Sequence, residues 1–191
     1  MGPGLRRQVL PLLAWVLVAL ALRVLVVEPR WIPSGSMLPT LQLQDRVLVE
    51  KLRPRLLPSL PVGTVVVFRP PPALVAAGYD PDAALIKRVV AGPGDTLEVR
   101  DGALWRNGRR AHPDWAAEPM AYALGPITVA DGDLLVLGDN RNASLDSHLW
   151  GPLPQTNVLG TAIWRYWPLD HFGPIDRGWG RTVPGASDQL G

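Results

Sequence analysis

Proline and glycine set the first limit on what this chain can become. They fill 21 and 19 of its 191 positions and recur along its whole length. A proline inside a helix deletes a backbone hydrogen bond and collides with the preceding turn, so a chain punctuated this often cannot be built mainly of helices. Short strands joined by turns suit it better. The runs between the breakers agree. Residues 45–52, 63–68 and 84–91 are rich in valine and leucine, as are 133–140 and 158–167. Residues 95–100 and 103–108 flank Asp101-Gly102, a short-hairpin signal, and Asn107-Gly108 supplies a second turn. There is no βαβ alternation, no glycine-rich loop opening a helix and no internal repeat. The pattern predicts a mainly β protein whose body, residues 28–170, is a coiled antiparallel sheet. Residues 70–83 read as a surface excursion. From 171 to 191 the apolar pattern stops, which reads as a loosely held tail.

The N-terminus departs from this plan. Residues 9–27 carry a single charge, Arg23, and as a helix would span roughly 28 Å, close to a bilayer core. The run reads as a transmembrane anchor, and Trp31 beyond it suits the interfacial belt. A cleaved signal peptide is the alternative, with Ala19-Leu20-Ala21 as its cleavage site. Arg6 and Arg7 precede the run, which places residues 1–8 in the cytoplasm and the body on the far side.

Composition removes several functions. A formal charge of +2 and no basic cluster larger than a pair such as Arg109–Arg110 give no footprint for nucleic acid. Without cysteine, thiol catalysis and thiolate metal sites are excluded. His112, His148 and His171 have no metal-ligand spacing, so no histidine-built metal site is expected.

Serine and lysine carry the positive signal. Of six serines, four fall in two short stretches, 32–41 and 138–148, and 17 of the 19 basic residues are arginine. One of the two lysines, Lys87, stands beside Arg88 in the apolar run Leu85–Ala91. Arginine keeps its proton at any working pH, whereas a desolvated lysine can lose it and act as a base. Ser36 therefore has three readings: a turn serine, a Ser-His-Asp nucleophile served by His148 or His112, or the nucleophile of a Ser-Lys dyad with Lys87.

Four motifs now stand in order: PSGSMLPTL (33–41), GTVVVF (63–68), IKRVVAGPGDTLEV (86–99) and LGDNRNASLDSHLWG (137–151). Together, after one N-terminal span, they resemble bacterial type I signal peptidase, and the likeness covers most of residues 30–165. The resemblance implies a membrane-anchored serine endopeptidase of coiled β fold that removes signal peptides from exported preproteins at the cell membrane without a cofactor. By position it makes Ser36 the nucleophile and Lys87 the general base. Ser34 and the Ser36 N–H become oxyanion donors, and Ser144 orients the lysine. Asp139, Asn140, Arg141 and Asp146 brace the site. Ile32, Pro33, Leu41 and Ile86 would line pockets for an extended substrate, with ordinary core as the alternative. Trp105, Trp150, Trp164 and Trp167 could form a face resting on the bilayer.

Three positions depart from the family pattern. His148 stands where arginine is common, and it could pair with Asp146. Asn142 replaces an aspartate, and Thr64 replaces another. A Ser-Lys protease with a dedicated partner substrate and a non-catalytic exported β binding module remain as alternatives.

Overall fold

The structure, a computed structural model, describes residues 3–111 and 118–175. His112 and residues 176–191 of the expected tail lie outside them. The chain begins with helix α1 (Pro3–Leu25). Twelve strands follow among the described residues: β1 (Val27–Trp31), β2 (Arg46–Glu50), β3 (Val65–Phe68), β4 (Leu85–Ala91), β5 (Thr96–Arg100), β6 (Ala103–Arg106), β7 (Arg109–Arg110), β8 (Leu124–Thr128), β9 (Asp133–Leu137), β10 (Leu153–Pro154), β11 (Val158–Trp167) and β12 (Gly173–Pro174). All pair antiparallel. The larger sheet runs β1-β2-β11-β3-β4-β9-β10, with β12 added to β11, and the smaller runs β7-β6-β5-β8.

The valine-rich runs lie where both faces are covered. β3 is buried at all four positions and β4 at six of its seven, which fits continuous apolar runs better than alternating ones. Three apolar clusters result. One gathers Ile32, Met37 and Leu41 under β2 and β3; another joins Val66 and Phe68 to β9; the third fills the smaller sheet. Long β11 shifts register against both neighbours, and such irregularities let a sheet curl. Its Gly160 is required by contact: a Cβ there would sit 2.5 Å from both the Glu50 carbonyl oxygen and Val49.

The hairpin signals hold. Asp101 and Gly102 have φ of 52° and 69°, and Asn107 and Gly108 have 53° and 73°, the left-handed pair that a two-residue hairpin needs. Residues 70–83 carry one helical turn, Pro72–Ala76, anchored by buried Leu74. The expected tail is corrected at its start. Gly173 and Pro174 pair with β11, and Ile175 is buried in the first cluster.

The apolar N-terminal run ends earlier than expected, because Val27 already belongs to β1. Within α1, Leu12, Trp15 and Leu17 are exposed. Among the described residues no helix is long and apolar enough to cross a membrane.

Candidate active site

Three pieces of chain meet at the site. The link from β1 to β2 supplies a tight turn over residues 34–41, β4 crosses beneath it, and the segment following β9 wraps alongside. The turn is fixed at both ends. Ile32 N–H donates to the Asp45 carbonyl and Gln44 N–H to that of Ile32, both at 2.9 Å. Arg165 on β11 donates to the Thr40 carbonyl at 3.0 Å and to the Asp45 carboxylate at 3.1 Å. Asn140 clamps the middle: its backbone N–H reaches the Ser36 carbonyl at 3.1 Å and its side-chain amide the Gly35 carbonyl at 3.2 Å.

Ser36 and Lys87, 51 residues apart, come together here. Lys87 Nζ lies 2.9 Å from Ser36 Oγ and 2.9 Å from the Ile86 carbonyl oxygen. Both residues are buried, at 9% and 5% exposure. Ser34 Oγ stands 3.3 Å from Ser36 Oγ. Burial drives the Lys87 pKa down to about 8, while the charges of Asp146 and Asp139 pull it part of the way back. His148 makes no such bond to Ser36. Its Nδ1 is 2.7 Å from Asp146 Oδ1, and its ring stacks on Tyr122.

The bracing residues divide into separate tasks. Asp139 takes two charge-assisted bonds from Arg88, Nε at 2.8 Å and Nη2 at 2.6 Å, with both side chains wholly buried. Arg88 also donates to the Gly63 carbonyl and the Thr40 hydroxyl, so this pair ties the turn to β4. Asp146 caps the one-turn helix Ser147–Trp150 and accepts the Gly138 N–H at 2.9 Å. Arg141 Nε donates to the Gly138 carbonyl, and burial lowers the Arg141 pKa. Gly138 is the pivot: a Cβ would lie 2.2 Å from Ser144 Oγ and 2.5 Å from the Ser36 carbonyl oxygen. Asn142, exposed, fastens a neighbouring segment through the Pro119 carbonyl and the Ala121 N–H.

Some expected placements differ. Ser144 packs against this pivot, but its buried Oγ has no hydrogen-bond partner, so the lysine-orienting contact is not made. Ile32, Leu41 and Ile86 belong to the apolar core at 2%, 0% and 7% exposure, whereas Pro33 is exposed. A cleft of about 240 Å³ opens beside the turn, between Leu38–Pro39 and Asn140–Asn142. The four tryptophans do not share one face. Trp105 lies under the Arg100 guanidinium on the smaller sheet, and Trp150 packs on Phe68. An exposed aromatic row does form elsewhere: Trp31 and Trp167 flank Arg46 across three neighbouring strands. Among the described residues no three histidine, aspartate or glutamate side chains converge to hold a metal ion.

The Arg88–Asp139 pair and the Asn140 clamp were not assigned from sequence. Arg88 did carry a signal, because a cation inside an apolar run must find a buried anion.

A curled antiparallel β body with a buried serine 2.9 Å from a buried lysine of lowered pKa has the outline of a serine hydrolase. The comparisons give the family. The model of signal peptidase, peptidase S26, matches residues 5–167, and the chain belongs to that family. It is 47% identical over 170 residues to probable signal peptidase I-1 of Synechocystis, covering 88% of this chain and 86% of that one. It is 42% identical over 160 residues to signal peptidase I of Leptolyngbya laminosa, covering 84% and 78%. Probable thylakoidal processing peptidase 2 of Arabidopsis thaliana is 46% identical over 160 residues, 84% of this chain but 43% of the plant protein.

Proposed function

We propose that this enzyme is a membrane-anchored endopeptidase that removes signal peptides from exported preproteins, with Ser36 as nucleophile and Lys87 as general base. The observation that carries this reading is the 2.9 Å contact between Lys87 Nζ and Ser36 Oγ in a site that disfavours the charged lysine.

In the reaction, neutral Lys87 accepts the Ser36 hydroxyl proton while Oγ attacks the scissile carbonyl carbon. The negative charge that develops on the carbonyl oxygen is met by the Ser36 N–H and the Ser34 hydroxyl. Collapse breaks the C–N bond, and the lysine ammonium gives its proton to the leaving amine. Water then attacks the ester. Lys87 takes a proton from it, and Ser36 leaves with that proton restored. No step calls for a cofactor. Ser144, packed against Gly138 beside the Ser36 carbonyl, keeps the turn in register. An extended peptide lying along the turn would present its small side chains near exposed Pro33 and its onward residues toward the cleft at Asn140–Asn142.

The anchor would be the apolar part of α1, residues 9–25, with residues 1–8 in the cytoplasm, the β body outside and the chain crossing the cell membrane once. The exposed apolar side chains of α1 support this reading, as do exposed Trp31 and Trp167 on either side of Arg46, a pattern suited to the lipid interface.

The test is cleavage of a signal-peptide-bearing preprotein in detergent micelles by wild type and Lys87→Arg, with product mass giving the cut site. Wild type should cut after a small residue. The variant should fold yet lose about 10³-fold or more in kcat, the scale on which a missing catalytic base is felt. A variant that cuts as fast as wild type removes lysine from the mechanism.

A further inference from the structure

The catalytic lysine lies in the field of two buried carboxylates, and the fold treats them differently. Asp139 is matched by Arg88 at 2.6 and 2.8 Å, a fixed cation on a fixed anion. Asp146 is also wholly buried, but the ion-pair partner the structure gives it is His148, Nδ1 to Oδ1 at 2.7 Å. We propose that His148 is a positioning residue for the catalytic base, acting through Asp146 to set how much uncompensated negative charge faces Lys87. This rests on the Ser36–Lys87 reading of the site.

The geometry is specific. Asp146 Oδ2 holds the Gly138 N–H, and Oδ1 holds both the backbone N–H and the ring of His148. With an anionic carboxylate as acceptor, Nδ1 must carry the proton, whatever the state of Nε2. Tyr122 fixes the plane of the ring, with centroids 4.0 Å apart and an interplanar angle of 14°. The ring stands between Asp146 and the surface, its side chain 13% exposed. The other charged or titratable groups about this carboxylate are Lys87 on β4, Arg141 on the neighbouring turn and the Tyr122 hydroxyl, whose pKa burial and Asp146 push up to about 12. Beyond them lies the Arg88–Asp139 pair. Of all these, His148 is the group in hydrogen-bond contact with Asp146 through a side chain, so its replacement changes the charge Lys87 experiences without touching the lysine.

The experiment is the pH profile of kcat/KM for the full chain in detergent on one preprotein. Activity rises with pH as Lys87 loses its proton, and the midpoint of that rise is the readout. His148→Arg places a permanent cation on Asp146 and should move the midpoint down by about half a pH unit or more. His148→Phe keeps the stacking on Tyr122 but leaves the carboxylate without a ring donor, and should move it up by about as much. Opposite shifts uphold the proposal. A midpoint that stays put, or moves the same way in both variants, overturns it, because a purely structural role would lower rates without reversing the shift. If both variants fail to fold, Asp146→Asn decides: a lowered midpoint upholds the proposal and an unchanged one overturns it. A wild-type profile with no rise at all, or an active Lys87→Arg enzyme, sinks the dyad reading instead.

Discussion

Lys87 and Arg88 are consecutive, both cationic by type and both buried, yet the fold handles them in opposite ways. Successive strand residues project to opposite faces, so β4 separates the two by direction alone. On one side Arg88 meets a carboxylate with two short bonds and adds the Gly63 carbonyl and the Thr40 hydroxyl. On the other, Lys87 Nζ meets only neutral oxygens, those of Ser36 and Ile86. A buried cation with its own carboxylate is held charged and works as a structural tie. One that meets hydroxyl and carbonyl oxygen is left free to discharge. The strand thus places a structural tie and the lysine proposed as the base one residue apart.

The largest effect should come from breaking the tie. Arg88→Met leaves Asp139 as a buried anion with no guanidinium, and removal of one partner from such a pair costs about 3–5 kcal/mol. Chemical denaturation should show that loss. The double variant Arg88→Met with Asp139→Leu should recover most of it, because no buried charge then lacks a partner. Equal losses in the single and double variants would mean that the arginine acts through its carbonyl and hydroxyl contacts rather than through the pair.

A smaller effect should separate the base. The Lys87 pKa falls from the ordinary 10.5 to about 8 on folding, so between these values the unfolded chain holds the extra proton. Stability therefore rises with pH across that window. Below about pH 8 the folded protein carries the full penalty of a buried ammonium, and the gain by pH 10.5 should reach about 3 kcal/mol. Lys87→Met should lack this rise. Comparing unfolding free energies of the two proteins from pH 7 to 10.5 measures it. A constant difference would show that Lys87 is no more desolvated in the fold than in the unfolded chain.

The same contrast explains what could be read from the sequence. Lys87 stood out because lysine, unlike arginine, can give up its proton when buried, and almost every other cation here is arginine. Ser36 stood out because serine is rare. The strand runs were legible because both faces are buried and the valines run continuously. Side-chain pairing across the sheet was less legible. Whether Arg88 meets Asp139, or Ser144 meets anything, depends on strand register and loop path, which local pattern does not encode. Ile32, Leu41 and Ile86 were ambiguous for a related reason, since a shallow pocket and a core ask for the same apolar residues. β1 was hidden at the end of the apolar N-terminal run, where Pro29 is tolerated because the strand is an edge of its sheet. β8, reading Leu-Gly-Pro-Ile-Thr, offers no strand signal and forms through its pairing with β5.

The smallest expected effect concerns the part that joins tie to base. Asn140 is next to Asp139 in sequence, but its two bonds go to the Gly35 and Ser36 carbonyls, on the turn that carries Ser36. Asn140→Ala keeps the backbone bond and deletes only the side-chain bond at 3.2 Å, one neutral, part-buried contact worth about 1 kcal/mol. If its role were stability alone, the unfolding free energy would fall by that amount and kcat would stay unchanged. If the clamp also holds Ser36 Oγ against Lys87 Nζ, kcat should fall as well, by about tenfold, because a nucleophile displaced by a fraction of an ångström loses its alignment. KM then reports whether this side chain, which lines the adjoining cleft, also meets substrate. Measuring kcat, KM and unfolding free energy on the same variant separates the two. A drop in kcat at constant KM would place Asn140 with the chemistry of Lys87, whereas loss of stability alone would place it with the structural work of Arg88.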